Sequence, residues 1–256
     1  MEAIEDYAQE LAKVVRCLLE VDGWQRTERI AAGGGFREGR VGELAIGRAS
    51  VLLKSLGLTA DLMPIHNHPE AAGLIGGLEL FPRELISGYG SLLALDIGGT
   101  NFRGGLVSIA ADAESHRSGR VVARESWRHA DEQPTRDAAV RKLVGMLGTL
   151  LQRALRQDLK LAPYVAIACP GRIASDGRIE SGGQNLPGNW EAEDFNLPQI
   201  VGALLLQEFN WHAQVLMHND AVVQGLSEVP FMLDVEHWGI LAIGTGLGHA
   251  HFTNRK

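Results

Sequence analysis

Apolar residues recur with a helical period from the start of the chain. Ile4, Leu11, Val14, Val15, Leu18 and Leu19 share one face of residues 4–19, with Glu2, Glu5 and Asp6 near the positive end of the helix dipole. After Trp24, Arg29 to Ala32 reads as a short strand opening into Gly33-Gly34-Gly35, and a helical pattern follows through Leu44, Val51 and Leu52. Asp61 to Ile65 reads as the next strand. Pro69 to Leu80 starts a helix with small residues suited to close packing, and residues 81–91, with Pro82, Gly88 and Gly90, read as a linker.

A different rhythm begins at Leu92. Three strand-like runs, 92–97, 105–110 and 121–126, are joined by turns and a polar loop, the pattern of an antiparallel meander. A helix follows over 135–156, with Val140, Leu143, Val144, Leu147, Leu150 and Leu151 on one face. Then come a strand at 164–168, a long Gly- and Asn-rich loop, a helix at 197–208, a strand at 215–218 and a helix from Ala221. The order strand, strand, strand, helix, strand, helix, strand, helix predicts a mixed sheet with helices on both faces, the ribonuclease-H-like arrangement.

Residues 238–252 repeat the opening of that unit, an apolar strand running into Ile243-Gly244-Thr245-Gly246 and out toward a second strand. The helix, strand, helix, strand, helix that would continue this repeat is supplied by residues 1–80. The expected organisation is therefore two lobes in circularly permuted order: a reduced one from 1–68 plus 229–256 and a fuller one from 69–228. The strand at 29–32 is expected in one sheet with that at 238–243.

Composition narrows the classes. The 256 residues are 45% hydrophobic and 21% charged, enough for one large or two modest domains. A net charge of -7 without a basic cluster gives no support for a nucleic-acid surface. The apolar runs are too short to span a bilayer and no signal-peptide pattern opens the chain, so a soluble cytoplasmic protein is expected. Cys17 and Cys169 cannot form a disulfide framework and read as packing residues.

The chemistry concentrates at the turn after Leu92. Gly98 and Gly99 allow a tight reversal whose backbone N–H groups can meet phosphate oxygens, and Asp96 at the strand end can hold a hydrated magnesium ion. The competing reading is an ordinary hairpin with a surface Asp. Arg103 could neutralise phosphate or pair with a carboxylate, and the sequence leaves both open. The histidines at 66, 68, 249 and 251 form two His-x-His pairs. Such spacing on a strand only shares a face, and no carboxylate or thiolate completes a metal site.

Six segments together resemble the ROK-type sugar kinases of the actin-like ATPase superfamily. Asp96-Ile-Gly-Gly-Thr-Asn-Phe-Arg103 resembles the first phosphate motif, Ile243-Gly-Thr-Gly-Leu-Gly248 the second, and Ile30-Ala-Ala-Gly-Gly-Gly-Phe36 the adenosine motif. Ala72-Gly-Leu-Ile-Gly-Gly77 resembles the helix that ends ordinary members. Cys169-Pro-Gly171 with Gln184-Asn-Leu-Pro-Gly-Asn-Trp190 resembles the sugar-pocket segment, and His218-Asn-Asp220 the pair whose Asp is the catalytic base. The family's Cys-rich zinc loop and Glu-x-Gly-His segment have no counterpart here, so no zinc site is expected.

The resemblance implies an α/β fold of two ribonuclease-H-like lobes, permuted, with the second reduced, and an ATP-dependent carbohydrate kinase. Such an enzyme moves the γ-phosphoryl of ATP to a hydroxyl of a hexose or related sugar with Mg2+. The implied nucleotide residues are Asp96, Gly98, Gly99, Thr100 and Asn101, then Gly244, Thr245 and Gly246, with Gly33, Gly34 and Gly35 for adenosine. Asp96 is the implied metal ligand and Asp220 the base. Asn185, Gly188, Asn219 and Trp190 are the implied sugar contacts, the Asn residues through hydrogen bonds and Trp190 by packing on an apolar sugar face. Each has a plainer reading: a helix N-cap for Asn219 or Asp220, turn chemistry for Asn185, and a core position for Trp190. The expected partner is a small-molecule sugar, with no nucleic acid and no membrane, and a homodimer is allowed. The alternative function is a non-catalytic sugar- or nucleotide-binding regulator of the same fold.

Overall fold

The computed structural model describes residues 2–109 and 119–255. Its elements in chain order are α1 (Glu2–Leu19), β1 (Arg29–Gly33), α2 (Arg40–Ser55), β2 (Asp61–Pro64), α3 (Pro69–Gly76), α4 (Arg83–Ile86), β3 (Ser91–Ile97), β4 (Phe102–Ile109) and β5 (Gly119–Trp127). There follow α5 (Arg136–Arg156), β6 (Leu161–Cys169), β7 (Arg172–Ile173), β8 (Ile179–Ser181), α6 (Leu197–Phe209), β9 (Gln214–Asn219), α7 (Asp220–Leu226), β10 (His237–Ile243) and β11 (Leu247–Thr253). The chain divides into two compact units, residues 1–70 with 228–256, and residues 71–227.

The larger unit holds a five-stranded sheet in the order β5-β4-β3-β6-β9. β3, β4 and β5 pair antiparallel, while β6 and β9 add in parallel with β3. This is the ribonuclease-H-like topology. β3 is buried along its whole length because both faces are covered. Leu93, Leu95 and Ile97 pack with the α5 residues Leu143, Leu147 and Leu150 and the α6 residues Val201 and Leu205. Leu92 and Ala94 pack on the other side with Leu74, Leu78, Phe81 and Ile86. Side-chain caps set the helix starts: Thr135 Oγ1 accepts from Ala138 N, Asn196 Oδ1 from Gln199 N, and Asn219 Oδ1 from Ala221 N and Val222 N.

The smaller unit carries the order β11-β10-β1-β2, with β10 and β11 antiparallel and β10, β1 and β2 parallel. Among the described residues it repeats the larger sheet less its third strand. Leu11 and Val15 of α1, with Ile46, Ala49 and Leu53 of α2, bury one sheet face, on which Ile30, Ala32, Leu62 and Leu241 lie. Residues 229–235 cover the other face at Ala31 and Trp238.

Three expectations shift. Residues 81–91 are not wholly linker, since α4 starts directly after Pro82 and buries Ile86. The helix expected over 69–80 ends at Gly76 and tightens into a 3-10 turn at Gly77–Leu80, where a Cβ on Gly77 would stand 2.6 Å from the Ala166 Cβ. The return strand of the first hairpin begins at Phe102, paired with Ile97, earlier than Gly105. Ala110, the last residue of that expected strand, lies outside the described residues.

Candidate functional site

The parallel strands of the larger unit end on one line. Asp96 of β3 is level with Ala168 of β6, Ala168 with His218 of β9, and Cys169 with Asn219. In open α/β sheets the region outside the carboxyl ends of parallel strands is where ligands are received. Asp96 is only 6% exposed. Helix α3 walls it in, because a Cβ on Gly73 would stand 2.8 Å from the Asp96 carboxyl carbon. Arg103, directly opposite on β4, brings Nη1 to 3.5 Å from Asp96 Oδ2. Burial raises the Asp96 pKa to about 6, Arg103 opposes the rise, and the charge of Asp220 adds to it. Arg103 thus pairs with a carboxylate of its own unit, one of the two roles left open by the sequence.

Asp220 is the first residue of α7, and burial holds its pKa above the usual carboxylate range, against the hydrogen bond from Ala221 N. Cys169, buried between these acids in the strand order, is driven well above its ordinary pKa by burial and by the charges of Asp220 and Asp96. The thiol stays neutral and serves as packing. Asp220 Oδ1 accepts from Ala221 N at 2.9 Å, but the capping residue of α7 is Asn219. The cap reading of Asp220 is thereby met by its neighbour.

Asn219 is largely spent on structure. Its Oδ1 takes two helix N–H groups at 3.0 and 3.2 Å, and its Nδ2 donates to Gly171 O at 2.8 Å. Asn219 is thus the N-cap of α7 and a tie to the turn after β6, with one amide hydrogen left for a ligand. Trp190 also departs from expectation. It is 1% exposed, its Nε1 donates to Pro187 O at 2.8 Å, and Phe102 and Phe195 meet its ring edge-to-face at 5.9 and 5.5 Å. A ring enclosed in this way presents no face to a sugar, and Trp190 is a core residue. Asn185 and Gly188 lie exposed in the same loop, with Gly188 at φ +80 against Arg136.

The turn Gly98–Asn101 joins β3 to β4 and is half-buried. Gly98 N donates to Asn101 O at 2.9 Å. Gly98 does not take a positive φ, so its value is small size and not left-handed geometry. His129 and Ala130 contact this turn from the segment after β5, a pair of contacts with no signal in the sequence.

In the smaller unit, two glycine segments leave the carboxyl ends of neighbouring parallel strands, since Gly33 is level with Ala242. Gly34 alone of the three has positive φ, +83, and a Cβ there would run into the Ile243 carbonyl. Gly35 has open space around it. Gly244 to Gly246 are exposed and form a tight turn with Gly244 N donating to Gly246 O at 2.9 Å. Glu228, fully buried, accepts from His66 N, Asn67 N and the His66 ring at 2.7 Å. His249 and His251 share a face of β11, and both rings meet Trp24 edge-on.

Among the described residues no group of three or more His, Cys, Asp or Glu side chains could hold a metal ion alone, and no helix is long and apolar enough to cross a membrane. A shallow cavity of about 450 Å3 lined by Asp176, Gln199, Leu206, His212 and Val215 includes none of the candidate residues.

No family model and no curated protein matches the sequence. Solved structures do. A candidate N-acetylmannosamine kinase from Listeria monocytogenes shares 23% identity at a TM-score of 0.45, over 64% of this chain and 47% of that one. The ROK hexokinase from Thermus thermophilus shares 20% at 0.43, over 65% and 48%. A ROK-family transcriptional regulator, a homologue of the E. coli MLC protein, shares 18% at 0.46, over 64% and 36%. The chain spans about half the length of the two kinases and about a third of the regulator, and what each of them binds or does is said of that protein alone.

Proposed function

We propose that the chain takes part in ATP-dependent phosphoryl transfer to a hydroxyl of a hexose or related sugar. The carrying observation is the acid pair of the larger unit. Asp96 and Asp220 sit at the carboxyl edge of one sheet, both raised by burial, and the charge of Asp220 lifts Asp96 further. Two buried carboxylates at one sheet edge, one of them raised by the other's charge, are a place where a cation is favoured.

Phosphoryl transfer requires positioning, neutralised phosphate charge and a base for the attacking hydroxyl. Asp220 is the base: its raised pKa brings it nearer the working pH, where proton abstraction is most effective. The turn Gly98–Asn101 supplies backbone donors for phosphate oxygens. Magnesium fits the donor set, because it is bound by one or two carboxylates with phosphate oxygens and water instead of a full protein cage. Asp96 would hold it, and when bound it neutralises phosphate charge. Asn185 and Gly188, with the last amide hydrogen of Asn219, are the remaining sugar contacts. In the smaller unit Gly33 to Gly35 serve adenosine, and Gly244 to Gly246 serve phosphate. The element order, read against the repeat of the larger unit, is a circular permutation in this account.

The second reading, a sugar- or nucleotide-binding regulator without catalysis, draws on the burial of Trp190, which removes one sugar contact, and on the engagement of Asn219, which leaves it a single amide hydrogen. A coupled ADP-release assay with magnesium ATP over hexoses, N-acetylhexosamines and polyols separates the two. Sugar-dependent release that disappears in Asp220→Asn supports the kinase. Sugar or nucleotide binding with no release supports the regulator.

A further inference from the structure

His129 lies in the short 3-10 segment His129–Asp131 between β5 and α5, some thirty positions from the turn it contacts. It is 4% exposed. Its ring packs against Phe102, the first residue after the glycine turn, with centroids 4.2 Å apart. Its Nε2 lies 2.9 Å from the carbonyl oxygen of Gly98. A carbonyl oxygen can only accept, so Nε2 carries the hydrogen and donates. The next residue adds a second contact, Ala130 N donating to Thr100 O at 3.3 Å.

With the Gly98 N to Asn101 O bond, three carbonyls of the four-residue turn are bonded to protein donors: those of Gly98, Thr100 and Asn101. A phosphate is repelled by carbonyl oxygens and attracted by N–H groups. A turn can bind it only if its peptide planes are held with the carbonyls directed into the protein. Nothing in Gly98 or Gly99 enforces that orientation, because glycine is the residue least restrained in φ and ψ. A donor from outside the turn is required, and a buried imidazole braced by an aromatic ring is rigid.

We propose that His129 is a positioning residue for phosphate binding, holding the Gly98–Asn101 turn with its carbonyls averted from the ligand. The inference rests on the phosphoryl-transfer reading and adds to it the residue that pre-organises the turn. His129 touches neither phosphate nor sugar in this role. Its loss acts through the turn's orientation, so affinity for a phosphate-bearing ligand falls while other binding steps stay.

The test compares the wild-type chain with His129→Leu, which keeps apolar packing on Phe102 but has no donor, and His129→Gln, whose amide nitrogen restores one. His129→Met replaces the Leu variant if that does not fold. Calorimetric titration is made with Mg·ADP and separately with adenosine. The expected result is a roughly five- to tenfold rise in Kd for Mg·ADP in the Leu variant, no change for adenosine, and recovery in the Gln variant, the size of one net hydrogen bond. In turnover assays KM for ATP rises while KM for sugar holds. Equal Mg·ADP affinity in all three proteins overturns the proposal, as does equal loss in the Leu and Gln variants, which would make His129 a packing residue; both outcomes leave the phosphoryl-transfer reading standing. Absence of Mg·ADP binding by the wild-type chain removes that reading and this inference with it.

Discussion

Asp96 should cost the protein stability, and the cost can be measured. Its pKa rises from 3.8 to about 6 in the folded chain, chiefly through burial, in spite of Arg103. At 1.36 kcal/mol per unit, ionised Asp96 disfavours the folded state by about 3 kcal/mol once the pH is above both values. The sign follows from the folded pKa being the higher one. The protonated side chain favours folding below about pH 4, and that contribution is lost as the pH rises through about 6. Asp96→Asn keeps the shape and never ionises, so relative to wild type it should gain stability progressively across this window. The loss of the carboxylate partner of Arg103 reduces the gain, leaving about 1–3 kcal/mol near pH 8, or roughly 2–4 °C in Tm per kcal/mol. Urea unfolding of both proteins without magnesium, repeated from about pH 4 to about pH 8, reads the difference. A difference that does not change with pH, or an Asn variant that is the less stable one near pH 8, refutes the reasoning. Under the proposed function the same variant loses magnesium-dependent turnover, so the stabilised protein is the inactive one.

Asp220→Asn should lower kcat by at least about a hundredfold, the usual contribution of a general base, with Tm equal or higher, because Asn219 caps the helix and the lost carboxylate is one that burial disfavours when ionised; normal turnover rules out the base. Gly73→Ala places a Cβ 2.8 Å from the Asp96 carboxyl carbon. It should destabilise by about 1–3 kcal/mol through overpacking and raise the magnesium needed for half-maximal turnover, both read by titration. Glu228→Ala strands the His66 and Asn67 N–H groups that its carboxylate accepts. A loss of about 2–4 kcal/mol in urea unfolding is expected, and less than about 1 kcal/mol would mean that solvent replaces the carboxylate.

The elements were legible where burial imposes a period. The all-buried run of β3, the α5 stripe from Val140 to Leu151 and the strand–turn–strand repeat at 238–252 all follow from side chains that must face a core. Site residues divided according to whether their partners are local. Asp96 reads from its own strand end and the cap at Asn219 from the helix that follows it, whereas the tie of Asn219 to Gly171 and the burial of Trp190 against Phe102 and Phe195 are set by the fold. For a Trp in a Gly- and Asn-rich loop the sequence allows both a sugar face and a core position, and the choice falls to the rings that enclose it. His129, Gly73 and Glu228 were missed for the same reason. Each acts on a residue more than 20 positions away, and nothing in their own neighbourhoods differs from a surface loop or a helix packed with small residues.

Under the proposed function, the internal repeat puts the chemistry in one unit. In the larger sheet, Asp96 precedes Ile97-Gly98 at the end of the first strand and is level with Ala168. In the smaller sheet the corresponding residue before Ile243-Gly244 is Ala242, level with Gly33. Arg103 stands opposite Asp96, and Gly248 stands opposite Ala242. The smaller unit therefore has neither the acid nor its counter-cation at that place. Its buried carboxylate, Glu228, is already spent on the His66 and Asn67 donors. What its edge offers is backbone: glycines that admit close approach at Gly33 to Gly35 and Gly244 to Gly246. Such a surface can hold a nucleotide through its backbone, while the Asp–Arg pair of the larger unit has no counterpart at Ala242 and Gly248. Under the proposed function, substitutions at those glycines should act on KM for ATP, whereas those at Asp96 and Asp220 act on kcat, and the repeat has kept one geometry for two different tasks.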